Sequence, residues 1–344
     1  MHPAPTDHEV ALSPEWLSAA FQGAYPGAEI SHVTPVGEFT TLATKVTLQL
    51  EYTAAPPGAP ASVFMKGFFG EFGEARAWIG EPEARFFSEL APMLDLRMPR
   101  AVYAGVDPAN HHGIVILHDL VAEGAEFLTA LSPYSTDQVA ATLGELAKLH
   151  AQSWDVAKLD DAWLQPVVAK FTDYRTTEYL QELLDGERGT PLPDAVRSAE
   201  RLKRAVIAAF AVTGNERRCV VHGDAHAGNL YLDRNGDPGV CDWQIVSRGH
   251  WSFDVAYHLA ASLEVPERRR SESALVRDYL DRMRGFGIDM PEWDDAWRAY
   301  ERALVYGYNL WAVTTTVDPR ITNEFVCRLG TAVADHDSME LLGV

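Results

Sequence analysis

Cysteine is scarce in this chain, and the three that occur stand far apart. Cys219, Cys241 and Cys327 are odd in number and lack CxxC spacing, which argues against structural zinc and against a disulfide framework. That usage fits a reducing compartment, and a cytoplasmic protein is expected. Basic residues are in the minority: 29 Lys and Arg against 49 Asp and Glu, a formal net charge of −20. Such a balance repels polyanions and argues against nucleic acid or an anionic membrane as partner. No apolar run reaches about 18 residues, so no membrane span is expected. The segment Met1 to Glu9 has no basic start followed by an apolar stretch, so a signal peptide is not expected either. Repeats, long linkers and low-complexity segments are absent from the sequence.

What is present is a polar cluster with apolar flanks. Val220-Val221-His222-Gly223-Asp224-Ala225-His226-Ala227-Gly228-Asn229-Leu230 leads through Tyr231-Leu232 to Asp233-Arg234-Asn235-Gly236-Asp237. Asn-Gly favours a tight turn. Gly239-Val240-Cys241 then delivers Asp242-Trp243-Gln244. Two strands joined by that turn would bring Asp242 back beside the Asp224–Asn229 loop, so that two carboxylates and an amide share one space.

Upstream, Ser13 caps a short helix with Pro14 in its first turn. Residues 30–69 alternate with a period near two and read as an antiparallel meander. Its last strand, 61–68, carries Lys66. A helix over about 79–92 turns Phe86, Phe87 and Leu90 inward, with Glu83 three residues before Phe86. Lys66 alone would be a snorkelling lysine; with Glu83 on the next helix it can form a pair of the kind that elsewhere holds a nucleotide's α- and β-phosphates. Glu81 is the rival partner for Lys66, though its spacing also allows an ordinary surface pair with Arg85.

The buried strand 113–120 ends abruptly in His118-Asp119-Leu120; it reads either as an ordinary internal strand or as the link between two lobes, with backbone groups available to a flat heterocycle. Ser135 caps a long helix whose buried stripe ends at His150. Helical stretches are expected at 160–186, 194–213, 249–259, 272–285, 294–312 and 320–337. Asp254 stands near the start of one of them. Pro266-Glu267 with Arg268-Arg269-Arg270 reads as a polar, solvated break. Trp297, Tyr300, Leu304, Tyr308 and Trp311 recur at helical spacing, mainly as core.

Phosphoryl transfer from ATP-Mg²⁺ needs a carboxylate at the acceptor hydroxyl, hard oxygen ligands for Mg²⁺ and a cation on the phosphates. Asp224 fits the base. Asn229 and Asp242 fit the metal. Lys66 with Glu83 supplies the cation. A two-metal phosphoesterase using Asp224, His226 and Asp242 is the competing reading, though it needs further histidine ligands. A catalytically silent small-molecule-binding protein is the other.

These residues carry a resemblance. His222-Gly223-Asp224…Asn229 and Asp242-Trp243-Gln244 resemble the catalytic loop and metal site of the aminoglycoside phosphotransferase/choline kinase superfamily, closest to its ecdysteroid-kinase-like branch. Met65-Lys66 and Glu83…Phe86-Phe87 resemble its ion pair, Ile116 to Leu120 its hinge, and Leu146 to Trp154 its first large-lobe helix. The resemblance implies an α+β, protein-kinase-like two-lobe fold. Residues 1–117 would be the nucleotide-binding lobe, an antiparallel sheet with a leading helix. Residues 118–344 would be a mostly helical catalytic and acceptor-binding lobe. It implies ATP and Mg²⁺, and transfer of the γ-phosphoryl group to a hydroxyl of a small molecule. His222, Asp224 and Asn229 would be catalytic, Asn229 and Asp242 metal ligands, and Asp254 a brace for the loop. Lys66, Glu83, Gly37, Thr40, Thr41, His118, Asp119 and Leu120 would bind nucleotide. The phosphate loop departs from the family pattern, since Gly37-Glu38-Phe39-Thr40-Thr41 has a single glycine. The acceptor is left open between a partly apolar alcohol, favoured by local Trp and Tyr, and an aminoglycoside, favoured by the acidic balance. Oligomeric state is not legible.

Overall fold

A computed structural model describes residues 2–40, 43–70, 77–156, 161–166, 172–214 and 216–344. The chain forms two compact units. The first comprises residues 1–126 with 233–236 and 241–246; the second holds the remainder.

The first unit is built on a five-stranded antiparallel sheet, in the order β1-β2-β3-β5-β4. Its strands are β1 (Glu29–Thr40), β2 (Thr44–Ala54), β3 (Ser62–Gly67), β4 (Ala101–Asp107) and β5 (His112–His118). Alternation in β2 buries Val46, Leu48 and Leu50. These pack with Met65, Ile114 and Ile116 against the Pro14–Phe21 helix, through Trp16, Leu17 and Phe21. Ser13 caps that helix, its hydroxyl accepting from the Trp16 amide. Clustering apolar side chains here also fixes the strand register, because a one-residue slip would expose the whole set.

The helix Ala77–Arg85 lies against the same sheet by a close backbone approach. A Cβ on Gly113 of β5 would meet the Gly80 carbonyl oxygen at 2.3 Å, so only glycine fits there. That contact sets the height of Glu83, one turn further on. The helix then widens into a π turn, Phe86–Leu90, and a 3₁₀ turn, Ala91–Met93. Phe86, Phe87 and Leu90 are buried as expected.

The second unit is mainly helical. Ser135 and Gln138 form a capping box at the start of the Thr136–Gln152 helix. The Ser252–Ser262 helix is buried at all its positions, the property of a helix surrounded by others rather than lying on a surface. Val265–Gly285, Trp293–Val313 and Pro319–Asp335 complete the C-terminal part. Two short antiparallel pairs support the polar loop: Cys219–Val221 with Ser247–Gly249, and Leu230–Leu232 with Pro238–Val240. Gly236 adopts φ +83°, as the Asn-Gly turn requires.

Three expectations are corrected. The stretch 160–186 is not one helix among the described residues: a 3₁₀ turn spans Ala162–Leu164, and the helix Thr177–Asp185 starts where the Thr176 hydroxyl caps it. The helix expected from 194 begins at Ala199, capped by Ser198. Pro266-Glu267 is no break but the first turn of Val265–Gly285, where proline costs no hydrogen bond. Arg268 is consequently turned inward and fully buried. It pairs with Glu272 at 2.7 Å, one turn along, and with Asp335. Tyr300 and His336 also bond Glu272, at 2.9 and 3.1 Å. Arg269 and Arg270 stay at the surface, as expected of the triplet. No described helix is long and apolar enough to cross a membrane.

Candidate active site

The first unit gathers three of the expected residues around one ammonium. Lys66 Nζ lies 2.7 Å from Glu83 Oε2 and 2.7 Å from Asp242 Oδ1. Lys66 and Glu83 are both 3% exposed, so these charges have exchanged water for one another. Burial alone would lower the Lys66 ammonium, but Asp242 and then Glu83 outweigh it and hold it above its ordinary value. Burial raises the Asp242 carboxyl, yet Lys66 and Lys45 prevail and keep it well below the usual range. Glu83 is pushed up by burial, with Lys66 opposing. Lys66 thus stays charged and Asp242 ionised.

Lys45 was not singled out from the sequence. Its Nζ sits 3.3 Å from Asp242 Oδ2. Register explains it: Lys45 of β2 is the direct partner of Lys66 in β3, and cross-strand partners share a face. No one-dimensional signal separates Lys45 from the neighbouring strand residues.

The Asp242-Trp243-Gln244 segment is fixed at each position. Asp242 has φ +64°, a left-handed conformation that non-glycine residues keep only where the surroundings enforce it. The Trp243 ring stacks on Phe86 at 3.8 Å, and its amide donates to Glu83 Oε1 at 3.2 Å. The Gln244 amide is oriented by its bonds: nitrogen donates to Asp242 Oδ1 and oxygen accepts from Lys66 Nζ, each at 3.2 Å. The tryptophan and glutamine therefore hold the two charged groups.

The other described nucleotide-site candidates lie on β1 and at the end of β5, in the same sheet as Lys66. Gly37 and Thr40 lie on the exposed end of β1, where the Thr40 and Thr44 hydroxyls approach at 3.4 Å. Thr41 lies outside the described residues. At the end of β5, the His118 ring bonds the Tyr25 hydroxyl at 2.9 Å and Glu123 at 3.1 Å. Asp119 accepts from the Ser62 hydroxyl and the Val121 amide. The His118 amide and the Asp119 and Leu120 carbonyls are also spent on Arg100, Glu123 and Ala125. The side chains here build the turn, and several main-chain groups are already paired.

The second unit holds the polar loop. Asp254 is fully buried and accepts from the His222 amide at 2.7 Å and the Gly223 amide at 2.8 Å. His150 bonds its carboxylate at 3.1 Å and is itself held by the Tyr279 hydroxyl at 2.7 Å. His222 Nδ1 accepts from the Asp224 amide at 3.1 Å, so its ring works on the loop backbone. Asn229 Nδ2 donates to both the main-chain carbonyl and Oδ2 of Asp224, each at 2.9 Å. The ligand atom that Asn229 would offer a hard cation is therefore its Oδ1. Tyr257 donates to Asp224 Oδ1 at 3.0 Å, and Tyr306 donates to the Gly223 carbonyl at 2.8 Å. Neither tyrosine is among the residues that the sequence pattern singles out. Tyr257 lies three residues after Asp254, which is a helical spacing and a signal within reach. His226 takes the Gly228 amide on Nδ1 at 3.0 Å and packs edge-on against Trp311 and Phe325. Among the described residues, no group of three His, Cys, Asp or Glu gathers as a metal centre.

Burial would raise the Asp254 carboxyl, but its bond from His150, the histidine charges and the Gly223 amide keep it below the usual value. Asp254→Ala is expected to cost about 3 kcal/mol, because it strands two buried amides and a histidine. Urea unfolding tests this, and a loss below about 1 kcal/mol would contradict it. A depressed carboxyl contributes fully above its unfolded value, about pH 4. That contribution disappears as pH falls through the lower folded value, so the gap between wild type and variant should narrow in acid.

The model of the phosphotransferase enzyme family (APH) matches residues 80–296. A comparison with curated proteins finds no match. Among solved structures, the GDP complex of wild-type aminoglycoside 2'-phosphotransferase-IIIa is similar, with 12% identity and TM-score 0.53 over 94% of this chain and 99% of that one. The GDP and kanamycin complex of APH(2")-IIia shows 14% identity and TM-score 0.50, over 95% and 97%. LicA in complex with AMP shows 13% identity and TM-score 0.50, over 94% and 98%; LicA is a choline kinase from Streptococcus pneumoniae. At these identities the likeness is one of fold. The fold is the expected α+β, protein-kinase-like one, with a small antiparallel-sheet lobe and a mostly helical part.

Proposed function

The chain belongs to the phosphotransferase enzyme family, and from that premise we propose that it is an ATP-dependent O-phosphotransferase acting on a small hydroxylated molecule. The observation that carries this reading is the buried Lys66, held at 2.7 Å by both Glu83 and Asp242. A cation so fixed is suited to the non-transferred phosphates of a nucleotide. Asp242, kept ionised by two lysines, would offer Mg²⁺ a charged oxygen, and Asn229 Oδ1 a neutral one, each of the hard type this cation prefers. When bound, Mg²⁺ supplies positive charge against the phosphoryl oxygens.

In the proposed reaction the acceptor oxygen attacks the γ-phosphorus, and the bond to the β–γ bridging oxygen breaks. ADP leaves, and the acceptor proton passes to the Asp224 carboxylate. His222 and Asp254 keep the Asp224 backbone in place, and Asn229 and Tyr257 fix its side chain. Gly37, Thr40 and Thr41 are proposed to cover the phosphates, and His118, Asp119 and Leu120 to border the adenine. Functionally, residues 1–117 would bind nucleotide and residues 118–344 would bind the acceptor and carry out transfer. The working compartment proposed is the cytoplasm. His226 accepts from the Gly228 amide on Nδ1 and its Nε2 lies 3.5 Å from Asp224 Oδ2, so the phosphoesterase reading is decided by the test below.

For the acceptor we keep a partly apolar alcohol, in line with the ecdysteroid-kinase-like branch, ahead of an aminoglycoside. The test is an ATP-consumption screen, repeated with GTP, against aminoglycosides, choline-like amines, sugars and sterol-like alcohols. Mg²⁺-dependent ADP formation with one class and a phosphorylated product is expected. Phosphomonoester hydrolysis without ATP would instead establish the phosphoesterase. Nucleotide binding without transfer to any class would establish a silent binding protein.

A further inference from the structure

The buried Ser252–Ser262 helix holds the polar loop at successive positions with one face. Asp254 takes the His222 and Gly223 amides, Tyr257 bonds the Asp224 side chain, and His258 Nδ1 lies 3.0 Å from the Ala225 carbonyl. Residues 254, 257 and 258 follow the i, i+3, i+4 spacing of a single helix face. Of these contacts, only that of Tyr257 reaches the carboxylate rather than the backbone. We infer that Tyr257 is the positioning residue of Asp224: it fixes the carboxylate rotamer from which the acceptor hydroxyl is oriented.

Three observations support this inference. First, Tyr257 and Asn229 bind different oxygens of Asp224, at 3.0 and 2.9 Å. Two tethers on two oxygens stop rotation about the last side-chain bond. His226 Nε2 lies 3.5 Å from the same Oδ2 as Asn229, and the Asp224 side chain is 31% exposed, so the carboxylate stays open to solvent. Second, the tyrosine ring is itself seated. It is fully buried, crosses Tyr306 edge-to-face at 6.0 Å, and lies against the bare backbone of Gly307. A Cβ on Gly307 would meet the Tyr257 ring at 2.4 Å. Third, burial and then the Asp224 charge push the phenol well above its ordinary value, so it remains a donor at working pH.

This inference rests on the proposed phosphotransfer. The full-length chain is assayed with ATP-Mg²⁺, using water as acceptor as well as whichever alcohol the screen identifies. For Tyr257→Phe we expect kcat to fall about tenfold, the loss of one hydrogen bond to a charged group, with the KM for ATP and the thermal midpoint unchanged. Gly307→Ala keeps the hydroxyl but displaces the ring, and should lower kcat without altering KM for ATP. A Tyr257→Phe variant with kcat within twofold of wild type would overturn the positioning role. So would a loss of kcat that tracks only a lowered thermal midpoint. A crystal structure of Tyr257→Phe supplies a readout independent of turnover: a changed Asp224 rotamer supports the inference, an unchanged one opposes it. Absence of any transfer by wild type would instead fail the proposed function, and the transfer role of Tyr257 with it.

Discussion

Asp224→Asn is expected to lower phosphoryl transfer by about 10²–10⁴-fold while nucleotide affinity stays unchanged. The two side chains match in size, and an amide oxygen can still accept from Tyr257, which now lies 3.0 Å from Oδ1. The other tether fails, because Asn229 Nδ2, 2.9 Å from Oδ2, would face an amide nitrogen in one orientation. More importantly, an amide cannot accept the acceptor's proton. Lys66 and Glu83, which would meet the phosphates, are untouched. Initial rates of ADP formation and an equilibrium titration with ATP-Mg²⁺ separate the two effects. Retention of full transfer would remove Asp224 from the mechanism. Equal loss of binding and transfer would make it a structural residue of the loop.

Lys66→Met should damage both folding and nucleotide binding. Removing the ammonium leaves Glu83 buried without its cation and brings the uncompensated charges of Glu83 and Asp242 together. Breaking a buried pair from one side costs about 3–5 kcal/mol. Lys45, 3.3 Å from Asp242, offsets part of this for Asp242; Glu83 has no equivalent relief among the described ion pairs. Adding Glu83→Leu to Lys66→Met should therefore restore stability towards wild type without restoring ATP binding. Urea unfolding and ATP titration of the two single variants and the double variant read both quantities. An unchanged midpoint and unchanged ATP affinity in Lys66→Met would contradict the assignment. If the double variant were no more stable than Lys66→Met, the pair would not be the source of the loss.

How far the sequence reaches differs from residue to residue. The pairing of Lys66 with Glu83 was legible because each stands at a marked place: the lysine ends an apolar strand, and the glutamate precedes a buried aromatic pair. The place of Asp254 at the start of an apolar helix points only to that helix's own free amides; its bracing role is implied by the family resemblance, and the structure shows it accepting from the His222 and Gly223 amides. Lys45 was not, since its meaning comes from being directly opposite Lys66 in the register. Arg268 departs from expectation for a similar reason. A run of three arginines looks solvated in one dimension, whereas helical phase turns one of them towards Glu272 and Asp335.

By itself, then, the sequence determined the periodicities, the caps and the turn, and the residue types that phosphoryl transfer demands, because these depend on neighbours a few positions away. Only the tertiary structure decided which groups hold those residues in place. Lys45 beside Asp242, Gln244 between Lys66 and Asp242, Tyr257 on Asp224 and Gly307 under the Tyr257 ring are contacts between distant or differently phased segments. The physical reason is range. Propensity and patterning act along the chain, while burial of charge and the seating of a ring depend on what folding brings alongside. The polar loop was therefore recognisable from its residues, and the means of fixing its carboxylate became visible only with the helix that lies against it.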